Sequence, residues 1–201
     1  MKKQKISIFY EATNFETGRY FNKQLLKYVH ILEDYVEFEF VPFGNINIDP
    51  STLSCNQTND SKCQSTIFQA LVIDKYMKTD YESSTPDLIS GQNRAINFIS
   101  CIFNQNSYLN VFKTLEECSN QNLGPDEYHH IIGMIQTDNE ERKNVVAAMK
   151  KRTDEVKGSN SVLRIPYVLL DNKESINAYN DVINATCQQY QVNCYLHKFT
   201  K

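Results

Sequence analysis

No stretch of this chain approaches the roughly 20 consecutive apolar residues that a membrane-spanning helix needs. Its opening segment, Ile6-Ser7-Ile8-Phe9-Tyr10, is only strand length. No charged-then-apolar leader precedes that segment, so a signal peptide is either not part of the protein or already removed. Strong charge of one sign is also missing. Lys and Arg number 21 against 24 Asp and Glu, a formal net charge of −3, too small and too evenly spread to hold nucleic acid or an anionic membrane. The one basic cluster, Lys2, Lys3 and Lys5, reads as a solvated terminus. Tryptophan is absent, there is no internal repeat, and no Cys-x-x-Cys occurs anywhere, which argues against zinc. No cofactor or metal is expected.

What remains is a soluble globular composition, 41% hydrophobic and 22% charged over 201 residues. That length fits a single α/β domain, or a core with an insertion, and is enough to bury a hydrophobic core. Six cysteines fall in three close pairs, Cys55 with Cys63, Cys101 with Cys118 and Cys187 with Cys194. The spacing points to three local disulfides, although six cysteines formally allow 15 connectivities. Loops this short would each contribute on the order of 2.5 to 3 kcal/mol in the chain-entropy model. Such bridges form in an oxidising compartment; six reduced thiols in a cytosolic core are the alternative. Asn56-Gln57-Thr58, Asn59-Asp60-Ser61 and Asn184-Ala185-Thr186 fit the N-glycosylation pattern, in a chain rich enough in Asn to produce it by chance.

Periodicity gives the order of elements. Ile6 to Tyr10 reads as a strand, Thr13 and Asn14 as helix-capping types, and Phe21, Leu25, Leu26, Val29 and Leu32 as one helical face. Tyr35-Val36-Glu37-Phe38-Glu39-Phe40-Val41 then alternates with period two up to Pro42, a second strand. Together they form a βαβ unit whose two strands should pair in parallel. Residues 45–62 read as a polar surface loop, and helices follow around Ile67–Tyr76, Ile96–Phe103, Leu109–Leu115, after Pro125, and over 139–157 up to Gly158. A surface loop is expected over 81–93. The sheet resumes over Val162–Leu170, where Pro166 suits a strand's start or edge. Asp171-Asn172-Lys173 makes a turn, and a last helix is expected over 174–189.

Several short motifs carry a resemblance. Phe9-Tyr10-Glu11-Ala12, Val41-Pro42-Phe43-Gly44-Asn45, Cys55-Asn56-Gln57 with Cys63, Ile165-Pro166-Tyr167-Val168 and Cys187-Gln188-Gln189-Tyr190 stand in one order. In that order and at those distances the chain resembles the gamma-interferon-inducible lysosomal thiol reductase family, whose runs are Tyr-Tyr-Glu-Ala, Val-Pro-Tyr-Gly-Asn-Ala, Cys-Gln-His-Gly, Val-Pro-Trp-Val and Cys-Gln-x-Tyr. The resemblance implies a thioredoxin-like fold, with core 5–45 and 136–201 and a helical insertion at about 46–135 bearing the local disulfides. It also implies that Pro166 is cis beside the active site.

One departure decides the chemistry. Where the family has Cys-x-x-Cys at the start of the first helix, this chain has Asn14-Phe15-Glu16-Thr17. A thiolate there is stabilised by free helix amides and attacks a disulfide, and the second thiol resolves the intermediate. Asn14 has no nucleophile, Thr17 lacks an activating base, and Glu16 brings charge of the wrong sign. The His-Gly after the Cys55 motif is absent too, as is a further family cysteine expected around 128–133. His129-His130 point about 100° apart on a helix and have no partner at ligand spacing. The sequence thus reads as a non-catalytic member that binds a protein partner, with an old substrate groove around Phe15, Ile165 and Pro166, or that serves as a subunit of a larger assembly. The compartment expected is secretory, lysosomal or extracellular, with an organellar or cytosolic complex as the alternative. The competing function is a disulfide exchanger using another cysteine, such as Cys55 or Cys63, which would have to be a free thiol of low pKa.

Overall fold

The structure, a computed structural model, describes residues 3–32, 36–46, 48–49, 54–55, 60–78, 91–105, 110–137, 139–158 and 162–190. Strand β1 (Gln4–Phe9) leads into α1 (Phe15–Tyr20), a π-helical turn (Phe21–Leu25) and α2 (Leu26–Leu32), and then β2 (Val36–Val41). A small hairpin, β3 (Ile48–Asp49) and β4 (Ser54–Cys55), precedes five helices: α3 (Asp60–Lys78), α4 (Gly91–Asn104), α5 (Val111–Asn122), α6 (Glu127–Gln136) and α7 (Glu140–Lys157). The chain closes with β5 (Tyr167–Leu170), β6 (Lys173–Glu174), α8 (Ile176–Asn180) and α9 (Val182–Tyr190).

Four strands form one mixed sheet in the order β2-β1-β5-β6. β1 and β2 pair in parallel, as the βαβ reading requires, while β5 runs antiparallel to β1 and β6 antiparallel to β5. Register assigns the two faces. Ile6 pairs with Phe38 and Leu170, and Ile8 with Phe40 and Val168, so one face is apolar except for Gln4, which lies opposite Val36 at its edge. Phe21, fully buried in the π-helical turn, packs its ring on Phe40 at 5.4 Å and on Tyr10 at 5.2 Å. The opposite face alternates Lys5, Ser7 and Phe9 with Glu37, Glu39 and Val41. It is covered by α7, whose Arg152 reaches the Glu39 carboxylate at 3.2 Å and lies 5.5 Å from the centre of the Phe9 ring. The alternation of β2 is thus that of a strand with one buried apolar face and one partly solvated face, where Glu37 is exposed and Glu39 is half-buried in ion pairs.

Several boundaries differ from the sequence reading. The loop expected over 45–62 contains the β3–β4 hairpin and gives way to α3 at Asp60, and the loop expected over 81–93 yields to α4 at Gly91; residues 79–90 lie outside the described set. β5 begins at Tyr167, not Val162. The cause is local. Pro166 has no N–H to give the ladder, and both backbone groups of Leu163 are taken by the Asn45 side chain, at 2.7 and 2.9 Å. The last helix is broken in two. Asp171 and Asn172 both have positive φ, a turn geometry suited to a tight hairpin, so Lys173–Glu174 continue as β6. Ser175 then caps α8 through the Ala178 amide, and Asp181 caps α9 through the Asn184 amide.

Among the described residues one contiguous core runs from the sheet through α3, α4 and the helices behind them. The Cys101–Cys118 disulfide joins α4 to α5, with Cα atoms 5.7 Å apart. Cys63 and Cys187 are also disulfide-bonded. Their expected partners, Cys55 and Cys194, have side chains outside the described set, so the pairings 55–63 and 187–194 fall there too. No described helix is long and apolar enough to cross a membrane.

Candidate functional site

Because β1 runs parallel to β2 and antiparallel to β5, the exits of β1 and β2 and the entrance to β5 lie at one end of the sheet. Phe9 pairs with Val41 and with Tyr167. Three connections therefore meet there: residues 10–14 before α1, residues 42–46 after β2, and residues 162–166 before β5. This juxtaposition brings the segment of Asn14 and Thr17 to the end where Pro166 lies. The Ile165–Pro166 peptide bond is cis, the isomer the family resemblance implies, with Pro166 buried and Ile165 half-buried.

The first connection is held from beneath by α3. Tyr10, fully buried, donates its hydroxyl to Gln69 Oε1 at 2.8 Å, and Gln69 Nε2 donates to the Ala12 carbonyl at 3.2 Å and to Ser65 Oγ at 3.3 Å. Gln69 is itself fully buried, and with these bonds its amide is matched on both sides. Lys62 adds an ion pair to Glu11 at 2.7 Å. From the second connection Gly44 packs against the same loop. At φ +43° with an added Cβ only 2.6 Å from Glu11 Cγ and 2.9 Å from the Tyr10 carbonyl oxygen, no side chain fits there.

On this platform Asn14 sits at the N-cap of α1 in extended conformation. Its Oδ1 accepts the Thr17 amide at 3.0 Å and, more weakly, the Thr17 hydroxyl at 3.4 Å. The position where a nucleophilic sulfur would be stabilised by helix amides is thus filled by a neutral cap that consumes one of those donors itself. Thr17 is fully buried. Among the described residues neither an imidazole nor a carboxylate hydrogen-bonds it, so its hydroxyl has no base. Glu16 stands in the first turn with an ion pair of 3.8 Å to Arg19. Phe15, between them, is 69% exposed, the most exposed large apolar residue described.

Ionisable groups around the platform are tuned for structure. Burial pushes the Tyr10 hydroxyl well above its ordinary pKa, and burial, with Tyr179 alongside, does the same to Tyr20. On the α7 side, burial works to raise Glu39, but the Ser7 hydroxyl, Arg152 and Lys5 outweigh it and hold the carboxyl below its usual value.

The gamma interferon inducible lysosomal thiol reductase family model matches residues 5–122. The chain belongs to this thiol reductase family. The match covers more than half the chain, from β1 through α5, and so includes the Asn14-to-Thr17 segment and the Cys101–Cys118 disulfide; Pro166 and Cys187 lie beyond it. No curated protein matches the chain.

Other sequence candidates of this thiol reductase relative are placed as follows. Asn184 is half-buried in the first turn of α9, and the Thr186 hydroxyl of the same triplet is buried and donates to the Val182 carbonyl at 2.8 Å. Asn56 and Asn59 lie outside the described residues. His129 and His130 are both exposed on α6, and no group of three metal-ligating side chains forms among the described residues. Sequence reasoning did not find the Gln69 clamp. Its signal was a glutamine set inside the apolar stretch Ile67-Phe68-Gln69-Ala70-Leu71, where an amide must find partners.

Proposed function

We propose that this member of the thiol reductase family keeps a thioredoxin-like scaffold, core 5–45 and 136–201 around a helical insertion at 46–135, without the family's redox chemistry. It acts as a binding or structural protein within an assembly in the secretory pathway. The observation that carries the reading is the Asn14–Thr17 cap. Both redox positions hold side chains without a thiol, and they are hydrogen-bonded to each other's turn. The βαβ unit and the later β-hairpin with its helix support the scaffold. The Cys101–Cys118 bridge supports an oxidising compartment.

The retained surface at the end of α1 supports binding. A fold can carry a function other than the family's chemistry, and Phe15 stands exposed on this surface, open to a partner. The competing reading, disulfide exchange through another cysteine, needs a free thiol; Cys63, Cys101, Cys118 and Cys187 are all bridged. The test is reduction of a disulfide substrate by the native full chain, with a small thiol as electron source, from acid to neutral pH. The expected rate equals that of the small thiol alone. A protein-dependent acceleration that disappears on alkylation would sink the proposal.

A further inference from the structure

The last turn of α4 is tied on two sides. Cys101 reaches α5 through its disulfide with Cys118. From the same turn Phe103 and Asn104 reach α1 and the π-helical turn that follows it. Phe103 lies so close to α1 that a Cβ added to Gly18 would stand 2.8 Å from Phe103 Cβ, and its ring packs on Tyr10 at 6.3 Å and on Phe21 at 5.8 Å. Asn104 Oδ1 accepts the Asn22 side-chain amide at 2.7 Å. Positions 101 and 103 stand about 200° apart around a helix, so the turn meets α5 with its sulfur and α1 with its ring. Gly18 follows Thr17 directly, and Tyr10 opens the connection that carries Asn14, so Phe103 supports the degenerate site from behind.

The bridge that holds this turn has one sulfur within reach of solvent. Cys63, Cys118 and Cys187 are buried, whereas Cys101 is half-buried. Among the described bridged cysteines it is therefore the one an outside thiolate reaches first. Gln105, one turn on, points its side-chain amide at the Cys101 sulfur from 3.8 Å, a donor that favours a thiolate there.

We infer that the Cys101–Cys118 bridge is a redox switch that acts on the start of α1 through Phe103 and is opened by a dithiol reductant. One thiolate of the reductant attacks Cys101 Sγ, the Cys101–Cys118 bond breaks, and the Cys118 sulfur leaves and takes a proton. The second thiol then attacks the reductant's sulfur in the mixed disulfide, and Cys101 leaves as a thiolate beside Gln105 and is protonated. The reductant ends as a disulfide and the bridge as two thiols. Without the bridge the end of α4 frays, Phe103 loses its fixed seat against Gly18, and the turn that presents Asn14, Phe15 and Glu16 loosens. Resting on the binding function proposed above, reduction then weakens the hold of that end on its partner.

Hydrogen exchange of the full-length protein, followed by peptide mass spectrometry, tests the coupling without any partner. Replacing both cysteines, Cys101→Ala with Cys118→Ala, should speed exchange of the α1 amides roughly tenfold while leaving α7, on the opposite face of the sheet, unchanged. Phe103→Ala with the bridge intact should speed α1 to a similar extent, and removing the bridge from that variant should add little more. Unchanged α1 exchange, or a rise shared equally by α7, would overturn the switch, and effects of the bridge and Phe103 that simply add would overturn the route between them. In the unmutated protein, differential alkylation during titration with dithiothreitol should label Cys101 and Cys118 before Cys63 and Cys187. Labelling of that pair last, or only as circular dichroism is lost, would also overturn the switch. Failure of the non-catalytic reading shows separately, as protein-dependent reduction of a disulfide substrate.

Discussion

Asn14 and Thr17 are joined across the first turn of α1, the Asn14 side-chain oxygen accepting the Thr17 amide at 3.0 Å. The bond makes Asn14 a structural cap and gives a measurable cost for its removal. Asn14→Ala should destabilise the protein by about 1 kcal/mol, whereas Asn14→Asp, which keeps the acceptor and adds favourable charge at a helix start, should not. Equilibrium denaturation of the three proteins checks this. Equal loss in both variants would mean that the cap is not what Asn14 supplies.

On the proposed loss of redox chemistry, the same geometry says what would supply it. The double replacement Asn14→Cys and Thr17→Cys puts one sulfur at the cap, facing the amides that Asn14 now occupies, and the other at a buried position one turn on. Alkylation of the reduced double variant should reveal one thiol that reacts well below the ordinary thiol pKa of about 8.5, and disulfide reduction should appear. If both thiols titrate normally, the start of α1 does not stabilise a thiolate, and the cysteine pair alone does not account for the proposed difference from the family.

Much of this arrangement could be read from local sequence, and the unread parts share a cause. The alternation Val36-Glu37-Phe38-Glu39-Phe40-Val41 gave β2, and the capping chemistry of Asn14 gave the start of α1, because a neighbour within a few residues settles each. The clamp from Tyr10 through Gln69 to Ala12 spans 57 to 59 positions, and Asn45 meets Leu163 across 118, so no window on the chain contains either pair. That second contact is also why β5 starts five residues later than its apolar run. The break at Asp181 was legible in principle. Ser175 and Asp181 are both N-cap types, yet an unbroken apolar stripe through Ile176, Tyr179, Val182 and Ile183 hid them.

Glu39 makes stability depend on pH at the acid end. Its carboxyl is held below the ordinary value of 4.5, where Ser7, Arg152 and Lys5 overcome the opposing effect of burial. A depressed folded-state pKa contributes stability that is present above the ordinary carboxylate pKa and lost as pH falls through the depressed one. Glu39→Gln should therefore be less stable than the parent at neutral pH, by about 1 kcal/mol after allowance for solvent screening. The gap should close below the carboxylate range. Urea midpoints for both proteins across that range test it, and a gap that stays constant with pH would assign the effect to packing.

At the alkaline end the sign is opposite, and the platform itself reports. Tyr10 and Tyr20 both have folded-state pKa values raised by burial above the ordinary 10.0, with Tyr179 adding to the shift at Tyr20. Their contribution is complete below the ordinary value and is lost as pH rises through the folded ones. Of the 12 tyrosines, these two should gain phenolate absorbance only as circular dichroism shows the chain unfolding. Tyr10→Phe and Tyr20→Phe should each remove one late-titrating group. Tyr10→Phe should also cost about 1 to 3 kcal/mol, because Gln69 would keep a buried oxygen with no donor. Should all 12 ionise reversibly while the fold persists, the end of β1 opens to hydroxide, and the loop carrying Asn14 is not clamped as the Gln69 bonds describe.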